Sequence, residues 1–345
     1  MSMREPIVSR SPPSPHKKKR LIFAEGHDAR VLQAIATIVR DRTAVVFAVG
    51  CEQDILKRIV VAKLSIKVGD DFEIVEPTDE RQFFDQWLAF RTARMLHWNV
   101  TNLPGFIRDN RNTACAARLI NSSRADAMIC GASGEFAWHL LQLQENLMSL
   151  QRQTAGTLQM LYCAGRVICL VEALQDCLRH PTAIAEIAIA AARHVCAFNL
   201  SPSIDLCQDS YWKDLNSQAE TLRAAAATVR AMAPDLVVRA PVALADAIRP
   251  ERCRSSCSAS KAACEVLVFP RVGLAAAIKD TLLSQADWQC VGPFLLGTAN
   301  RAHIVSPTVS SSLLTRIAAH AGTPLDESHD LLSSKSVSHS DRRGP

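Results

Sequence analysis

Residues 123–136 read SRADAMICGASGEF and contain the strongest local indication of the fold. The run 127–130 is uninterrupted and apolar, which predicts a short buried strand. Gly131 and Gly134 follow it directly, and a helical pattern begins just after them. Glycines at such a turn let the backbone bend tightly and let a ligand approach its N–H groups, most often a phosphate at a helix N-terminus. An ordinary α/β turn also holds glycine, so the rest of the chain has to decide between the two interpretations.

Short apolar runs alternate with amphipathic stretches on both sides of this turn. Strands rich in Val, Ile and Leu between helices predict an α/β protein with mostly parallel sheets, covered by helices on both faces. The predicted strands are 21–24, 44–49, 126–130, 167–171, 204–206, 265–269 and 302–305. The predicted helices are 28–40, 52–62, 80–98 and 214–232, together with one that begins at Pro181.

The composition is that of a globular protein. The 345 residues are 48% hydrophobic and 21% charged, which suffices for one large domain or for two. No apolar run approaches the ~20 residues that a membrane helix needs. The N-terminus also lacks the apolar core of a secretory signal. We therefore expect a cytoplasmic protein with no membrane partner.

Charge and cysteine content indicate neither a nucleic-acid partner nor a metal site. Much of the net charge of +5 comes from HKKKR at residues 16–20, which is either a nucleic-acid or lipid arm or a solvated tail. No interleaved aromatic residues accompany it, which favours the tail. The twelve cysteines are scattered, mostly in apolar segments, which is typical of reduced core residues. Cys253, Cys257 and Cys264 lack the paired spacing of zinc ligands, so we expect no metal.

The run RLIFAEGHDARVLQAI at residues 20–35 resembles the opening of the phosphate acetyltransferase/butyryltransferase family. It is most similar to the version at the C-terminus of bacterial NADP-dependent malic enzymes. The glycine turn above resembles the family in the same order along the chain, and the resemblance covers about residues 18–322. The other matching stretches are VGDDFEIVEPTDE at 68–80, HPTAIAEIAIAAA at 180–192, APDLVV at 233–238 and VGPFLLGTANRAHIVSPT at 291–308.

The resemblance implies an α/β fold with two three-layer α/β/α domains around a cleft, as in isocitrate and isopropylmalate dehydrogenases. The first domain would comprise residues 20–155 plus 292–322, because the final strand and helix return to it. The second would comprise residues 156–291 and mediate a dimer. We expect the tails, 1–19 and 323–345, to be disordered because they are polar and lack apolar periodicity.

The resemblance also implies a chemistry. Active members move an acetyl group between CoA and phosphate; an acidic group takes the thiol proton, and cations and hydroxyls hold the phosphate. Their Ser-Arg-Gly run and later Asp fall here on Ser306-Pro307-Thr308 and near Leu313. Ser306 is thus the one catalytic candidate that remains, since Pro307 cannot bind phosphate and Leu313 cannot take a proton.

Six further residues are ligand-binding candidates through the resemblance. Glu25 and the glycine turn would line the cleft that holds phosphate and the CoA end. A family glycine becomes Trp212, whose indole could stack on a base, and Arg271 is gained where two polar contacts are lost. The candidates are Glu25, Gly131, Ser133, Gly134, Trp212 and Arg271.

Structural interpretations of several of these residues stay open beside the functional ones. Glu25 at a helix start suits the helix dipole, and Ser133 fits an ordinary turn residue. Arg271 fits an exposed loop arginine. His139 and His194, on helical patterns, fit surface or boundary positions. The Ser306 hydroxyl either caps the last helix or points to the cleft without catalysing.

We therefore expect a degenerate acyl-CoA- or phosphate-binding regulatory module, a pseudoenzyme of the malic-enzyme C-terminal type, with little or no acyltransferase activity. The alternative is an active acyl-CoA:phosphate acyltransferase that uses substitute residues. The sequence contains no G-x-G-x-x-G fingerprint, which argues against a dehydrogenase. The interpretation of the chain as a remnant without function stays open. No resident cofactor is expected. The expected partners are CoA or acetyl-CoA as ligand and either a second copy of the chain or a malic-enzyme catalytic subunit. We find no place in the sequence for the residues that decarboxylate malate.

Overall fold

The computed structural model describes residues 18–77, 103–147, 155–163, 166–174, 180–208, 215–247, 262–285, 287–298 and 301–322. Within these ranges the strands are β1 Lys19–Phe23, β2 Ala44–Val49, β3 Glu73–Val75, β4 Ala127–Cys130, β5 Gly156–Cys163, β6 Arg166–Ala173, β7 Leu200–Gln208, β8 Val237–Val238, β9 Val242–Ala243, β10 Ala262–Phe269, β11 Gln289–Leu296 and β12 Ala302–Ile304. The helices are α1 Ala29–Arg40, α2 Glu52–Val61, α3 Leu103–Asn121, α4 Phe136–Asn146, α5 Pro181–Cys196, α6 Leu215–Met232, α7 Leu244–Ala247, α8 Leu274–Leu283 and α9 Ser311–His320.

The first sheet has the strand order β12-β4-β1-β2-β3, and all of its pairings are parallel. The chain runs outward from β1 through β2 to β3, then crosses to the other side of β1 to form β4. Ligands of open α/β sheets bind outside the carboxyl ends of the strands where the order reverses in this way. The loops after β1, β2 and β4 meet at that edge.

The second sheet has the order β11-β5-β6-β10-β7-β8, with β9 paired to β7. Its β6, β10, β7 and β8 are parallel, but β5 is antiparallel to both β6 and β11. The expectation of mostly parallel sheets therefore holds for the first sheet, while the second is mixed. Neither β5 nor β11 is among the predicted strands. Gly292 and Pro293 interrupt the apolar run of β11, and Thr157 and Gln159 interrupt that of β5.

Both faces of the first sheet are covered. Alternate residues of a strand point to opposite faces, and Leu21 and Phe23 join one core cluster, with Leu32 and Ile35 of α1. Ile22 joins a second cluster on the other face, which includes residues of α3. Complete burial of one such side chain contributes about 1.5–3 kcal/mol.

The N-terminus of α1 follows from its capping residue. Asp28 has an extended backbone and its carboxylate accepts a hydrogen bond of 2.8 Å from the Arg30 N–H. A carboxylate at this position satisfies one of the first amides that a helix leaves unpaired and also suits the helix dipole. The start predicted at residue 28 agrees with this cap. Lys19, assigned to the tail from sequence, is instead the first residue of β1, because its backbone pairs with Ala44.

The alanine-rich helix α5 is buried within the fold. Its apolar stripe, including Ile184, Ala188 and Ala191, packs in the core cluster with residues of α6 and of the second sheet. Small side chains here serve close packing inside the chain, so this stripe gives no support to a dimer through α5. Among the described helices, none combines the length and hydropathy needed to cross a bilayer.

Several sequence-based expectations fall outside the described residues. These are the helix at 80–98, Trp212, two of the clustered cysteines, most of the basic tail and the C-terminal tail from residue 323. The third clustered cysteine, Cys264, is buried in β10 with its Sγ 3.2 Å from that of Cys169 in β6. In the described ranges no group of three or more His, Cys, Asp or Glu side chains is placed to hold a metal ion.

Candidate functional site

The glycine turn after β4 is held by the chain's own groups. Gly131 has φ +96°, and a Cβ on it would lie 2.5 Å from the carbonyl oxygen of Val305, just after β12. Only glycine tolerates this backbone conformation and this approach together. Its N–H donates a hydrogen bond of 2.9 Å to the Glu25 carboxyl. Gly134 has φ +82°, and a Cβ there would meet His139 and Asp109.

Glu25 is buried at the carboxyl end of β1, with 1% of its surface exposed. Burial raises its pKa to about 8; the hydrogen bond from Gly131 opposes this shift, and the charge of Asp109 adds to it. Glu25 therefore keeps its proton at neutral pH in most molecules. A neutral carboxyl at this point can donate as well as accept a hydrogen bond, and it brings no negative charge to the glycine turn.

His139 in α4 fixes the turn from the other side. It is fully buried, whereas the sequence favoured a surface or boundary position; its ring lies between α3 and the turn. Its Nε2 is 2.7 Å from the Ser133 carbonyl oxygen, which can only accept, so Nε2 carries the proton. Its Nδ1 is 2.8 Å from the Thr113 hydroxyl and 3.8 Å from Oε1 of Glu25. Burial lowers the pKa of His139, which keeps the ring neutral.

Three residues that the sequence did not single out extend the site from Ser133. The Ser133 hydroxyl is 3.4 Å from Nε2 of His27, and that nitrogen is 3.8 Å from Oδ1 of Asp109. Arg108 donates from Nε to the same Asp109 oxygen at 2.9 Å. Burial, and then the charge of Arg108, lower the pKa of His27 to about 4, so its ring is neutral at pH 7. His27 stands within the matching EGHD stretch, which is the only signal that could have marked it.

A cavity of about 500 Å³ opens beside this network. It lies outside the carboxyl ends of β1 and β2 and against the first turns of α2 and α3. The polar residues that line it are His27, Asp54, Arg108, Arg111 and Asn112. This is the position at which a sheet of this strand order binds ligands, and the volume suits a small molecule.

The Ser306 loop reaches the same edge from β12. Arg30 joins it to the glycine turn: Nη1 donates to the carbonyl oxygens of Pro307 and Val309, and Nη2 donates to that of Ala132. The Ser306 hydroxyl lies 2.8 Å from the Thr308 hydroxyl and accepts from the Thr308 N–H at 3.3 Å, and Ser306 is exposed.

Ser306 does not cap the last helix. Ser310 holds that position, since its hydroxyl accepts from the Leu313 N–H at 3.2 Å. Four intervening residues separate the start of α9 from Ser306, which is too far for an N-cap contact. Of the two structural interpretations of Ser306, capping is therefore wrong.

Arg271 and His194 lie in or near the second sheet, whereas Trp212 lies outside the described residues. Arg271 is exposed in the turn between β10 and α8. The first amides of α8 are occupied, because the Glu172 carboxylate accepts from the N–H groups of Gly273 and Ala275 at 2.7 and 2.9 Å. His194 in α5 is fully buried rather than at a boundary, with its ring centroid 4.7 Å from that of Phe294. Glu25, Gly131, Ser133, Gly134 and the Ser306 loop thus meet at one edge of the first sheet.

Solved structures with the same fold are phosphotransacetylases. The phosphotransacetylase of Streptococcus pyogenes superposes with a TM-score of 0.64 over 88% of this chain and 93% of its own, at 18% identity. The EutD phosphotransacetylase of Staphylococcus aureus gives 0.62 over 89% and 94%, at 16% identity. At these identities the likeness establishes the fold alone.

Sequence relatives are malic enzymes. The NADP-dependent malic enzyme of Salmonella typhimurium is 29% identical over 92% of this chain and 42% of its own length. The NAD-dependent malic enzyme of Rhizobium meliloti is 28% identical over 88% and 40%. The chain thus spans about two fifths of these relatives. The family model described as "Phosphate acetyl/butaryl transferase" matches residues 2–321. The resemblance read from the sequence is confirmed: the chain belongs to the phosphate acetyl/butyryl transferase family.

Proposed function

We propose that this chain is an acyl-CoA- or phosphate-binding regulatory module of its family, with little or no acyltransferase activity. The observation that carries the proposal is the state of the Ser306 loop. The Ser306 hydroxyl is bonded to Thr308, the guanidinium of Arg30 is engaged by backbone carbonyls, and Leu313 offers no ionisable group. Among the residues that the structure describes, neither a proton acceptor for a thiol nor a cation free to bind phosphate is thus placed at Ser306.

The expected loss of acyltransferase turnover follows from the two missing groups, the proton acceptor and the phosphate-binding cation. A positioned acid or base typically contributes ~10²–10⁴-fold to a rate, and a donor to a developing oxyanion or phosphate ~10²–10³-fold. A thiol-release assay with acetyl-CoA and phosphate, in which transfer of the acetyl group to phosphate frees the CoA thiol, should therefore show a turnover far below the ordinary enzyme range of ~1–10³ per second. Turnover within that range would overturn the proposal.

A second candidate function is an active acyltransferase with substitute residues. The observation that favours it is the neutral ring of His27, which lies beside the cavity with its Nε2 3.4 Å from the Ser133 hydroxyl. The same assay distinguishes the two functions. Loss of turnover in His27→Gln but not in Ser306→Ala would assign the chemistry to this substitute base.

Binding is tested separately from turnover. On the module hypothesis CoA quenches tryptophan fluorescence with a saturable, roughly micromolar-to-millimolar dissociation constant. The proposed stacking on Trp212, with Arg271 as charge for the pyrophosphate, predicts weaker binding in Trp212→Gly, while Trp288→Phe serves as the matched control. Absence of saturable quenching by any acyl-CoA would leave the remnant interpretation.

The division into two domains and a location in the cytoplasm remain proposals, as does association with a second copy or a malic-enzyme subunit. They are supported by family membership and by the malic-enzyme relatives. Light scattering at micromolar concentration tests self-association, and a monomer mass would contradict it.

A further inference from the structure

The cavity beside His27 contains an unsatisfied buried side chain. Asn112 in α3 lines the cavity and is completely buried, yet neither its amide nitrogen nor its amide oxygen has a hydrogen-bond partner among the described residues. An unpaired buried amide typically costs about 1–3 kcal/mol, and native structures contain few of them. A ligand bound in the cavity could therefore supply the hydrogen-bond partner that the Asn112 amide lacks.

His27 shows the same feature on the opposite side. Its Nε2 faces Ser133 and Asp109, whereas the buried Nδ1 has no partner within the described part of the chain. If Nδ1 carries the proton of the neutral ring, it donates into the cavity, as the Asn112 amide nitrogen does. With that tautomer, the cavity wall carries two polar donors that have no acceptor among the described residues.

Charge and helix geometry favour an anionic acceptor. Arg108 and Arg111 lie three residues apart on α3, and both line the cavity. Among the described residues, the acidic groups nearby are Asp109, which is paired with Arg108, Asp28, which is paired with Arg30, and the exposed Asp54. Arg58, one turn after Asp54 on α2, adds its charge to the field at His27. The first turn of α3 lines the cavity, and helix N-termini attract anions. At the start of α2 the Glu76 carboxylate already accepts from the Glu52 N–H, so the proposal makes no use of that helix end.

We propose that this cavity binds the phosphate or diphosphate group of a phosphorylated ligand, held by Arg111, Asn112 and His27. The site differs from the Ser306 loop, since its lining residues come from the loops after β1 and β2 and from α3. The inference rests on the proposed function, from which the nature of the ligand is taken. It adds the place where the anionic end of that ligand binds. A planar guanidinium and an amide together provide the several donors that phosphate oxygens require.

The test is titration calorimetry of the full chain with pyrophosphate, comparing wild type with Arg111→Gln and Asn112→Asp. Asn112→Asp keeps the shape and replaces a donor by a carboxylate, which repels an anion. Arg118→Gln is the matched control, because Arg118 lies on the exposed face of the same helix. We expect wild-type and control binding to agree, and each cavity variant to bind at least about tenfold more weakly. Thermal unfolding of each variant verifies that it is folded.

The outcomes separate the inference from the proposed function. Equal affinity of Arg111→Gln and Arg118→Gln for pyrophosphate overturns the inference, and so does an absence of pyrophosphate binding to wild type. If CoA still quenches fluorescence in that case, with Arg111→Gln unaffected, the proposed function stands and its site is elsewhere. If neither probe binds, both fail. Weaker binding of pyrophosphate and of CoA in both cavity variants supports the inference.

Discussion

The backbone N–H of Gly131 donates to the carboxyl of Glu25, 106 positions earlier in the chain, at 2.9 Å. The resemblance pointed to both residues as ligand-binding candidates. In the fold they bind each other, so the amide at the centre of the glycine turn is engaged. Within the described part of the chain, buried polar atoms without a hydrogen-bond partner lie one step further out, on His27 and Asn112.

Gly131→Ala should destabilise the fold by about 3 kcal/mol or more. A Cβ at this position would lie 2.5 Å from the Val305 carbonyl oxygen, so the last strand must move, and φ +96° adds strain. Gly69→Ala is the matched control, because Gly69 has φ +86° but nothing within 4 Å of a new Cβ. It should cost only about 1 kcal/mol, the strain alone. Urea unfolding measures both; equal losses would refute the packing explanation.

Glu25→Gln should change how stability depends on pH. The folded-state pKa of Glu25, about 8, exceeds its ordinary value of 4.5. Between these values the unfolded chain releases the proton while the folded chain keeps it, so the stability that Glu25 contributes is present below pH 4.5 and lost as pH rises to 8. Glutamine cannot ionise and removes this loss. Relative to wild type, the variant should gain stability from pH 5 to pH 8.5 in urea unfolding.

The control for this measurement is Glu73→Gln, at an exposed position of β3. Its unfolding free energy should follow wild type at every pH. If the unfolding free energy of Glu25→Gln also runs parallel to that of wild type across this pH range, Glu25 is ionised in the folded protein. The description of Glu25 as a neutral carboxyl at the glycine turn would then be wrong.

Arg30→Ala should destabilise the closing segment of the chain. The guanidinium binds three backbone carbonyls, of Ala132, Pro307 and Val309, and joins the glycine turn to the Ser306 loop. A hydrogen bond to a charged group contributes about 1.5–3 kcal/mol, and partial exposure of Arg30 reduces the sum, so we expect a loss of about 2–3 kcal/mol. Arg40→Ala, which removes an exposed ion pair with Asp41, should cost less than about 0.5 kcal/mol. Comparable losses would contradict this role.

Acid should unfold the protein through its buried histidines. Burial lowers the pKa of His194 to about 3 and that of His320 to about 4, from an ordinary 6.5. Below pH 6.5 these histidines bind protons in the unfolded chain but not in the folded chain. The free energy of unfolding therefore falls as pH decreases, until pH reaches the folded-state pKa values. His194→Phe, which fits the cluster with Phe294, should lose less stability between pH 7 and pH 5 than wild type. The exposed His180→Gln should lose as much as wild type.

The elements that the sequence predicts well are those with uninterrupted local patterns. The apolar run 127–130 lies within a predicted strand and is β4, and the helix start at Asp28 agrees with its cap. Helix α3 was not predicted, because its buried face carries polar residues, among them Asp109, Asn110 and Asn112, that disrupt the apolar period. One of them, Asn112, lines the cavity, so a residue that disrupts the apolar period of the helix belongs to the candidate site.

The candidate site was predictable in place but not in detail. The resemblance located Glu25 and the glycine turn, which meet at one edge of the first sheet. It could not show that Gly131 is required by the approach of Val305, since that contact joins distant parts of the chain. Nor does a single histidine such as His27 produce any periodic signal. Its neighbours Arg108 and Asp109 come from another element, and only the folded chain brings them to it.

The pairing of β12 with β4 has a consequence for how the protein is made. The His303 carbonyl meets the Cys130 thiol across 173 positions of sequence, and every residue of β4 is buried in the finished fold. At ~5–20 residues per second, a ribosome needs roughly ten to thirty seconds to synthesise the intervening segment. Throughout that interval an apolar strand edge has no β12 to pair with, and such edges recruit other chains. Nascent chains arrested before residue 302 should therefore be the form of this protein that most requires a chaperone.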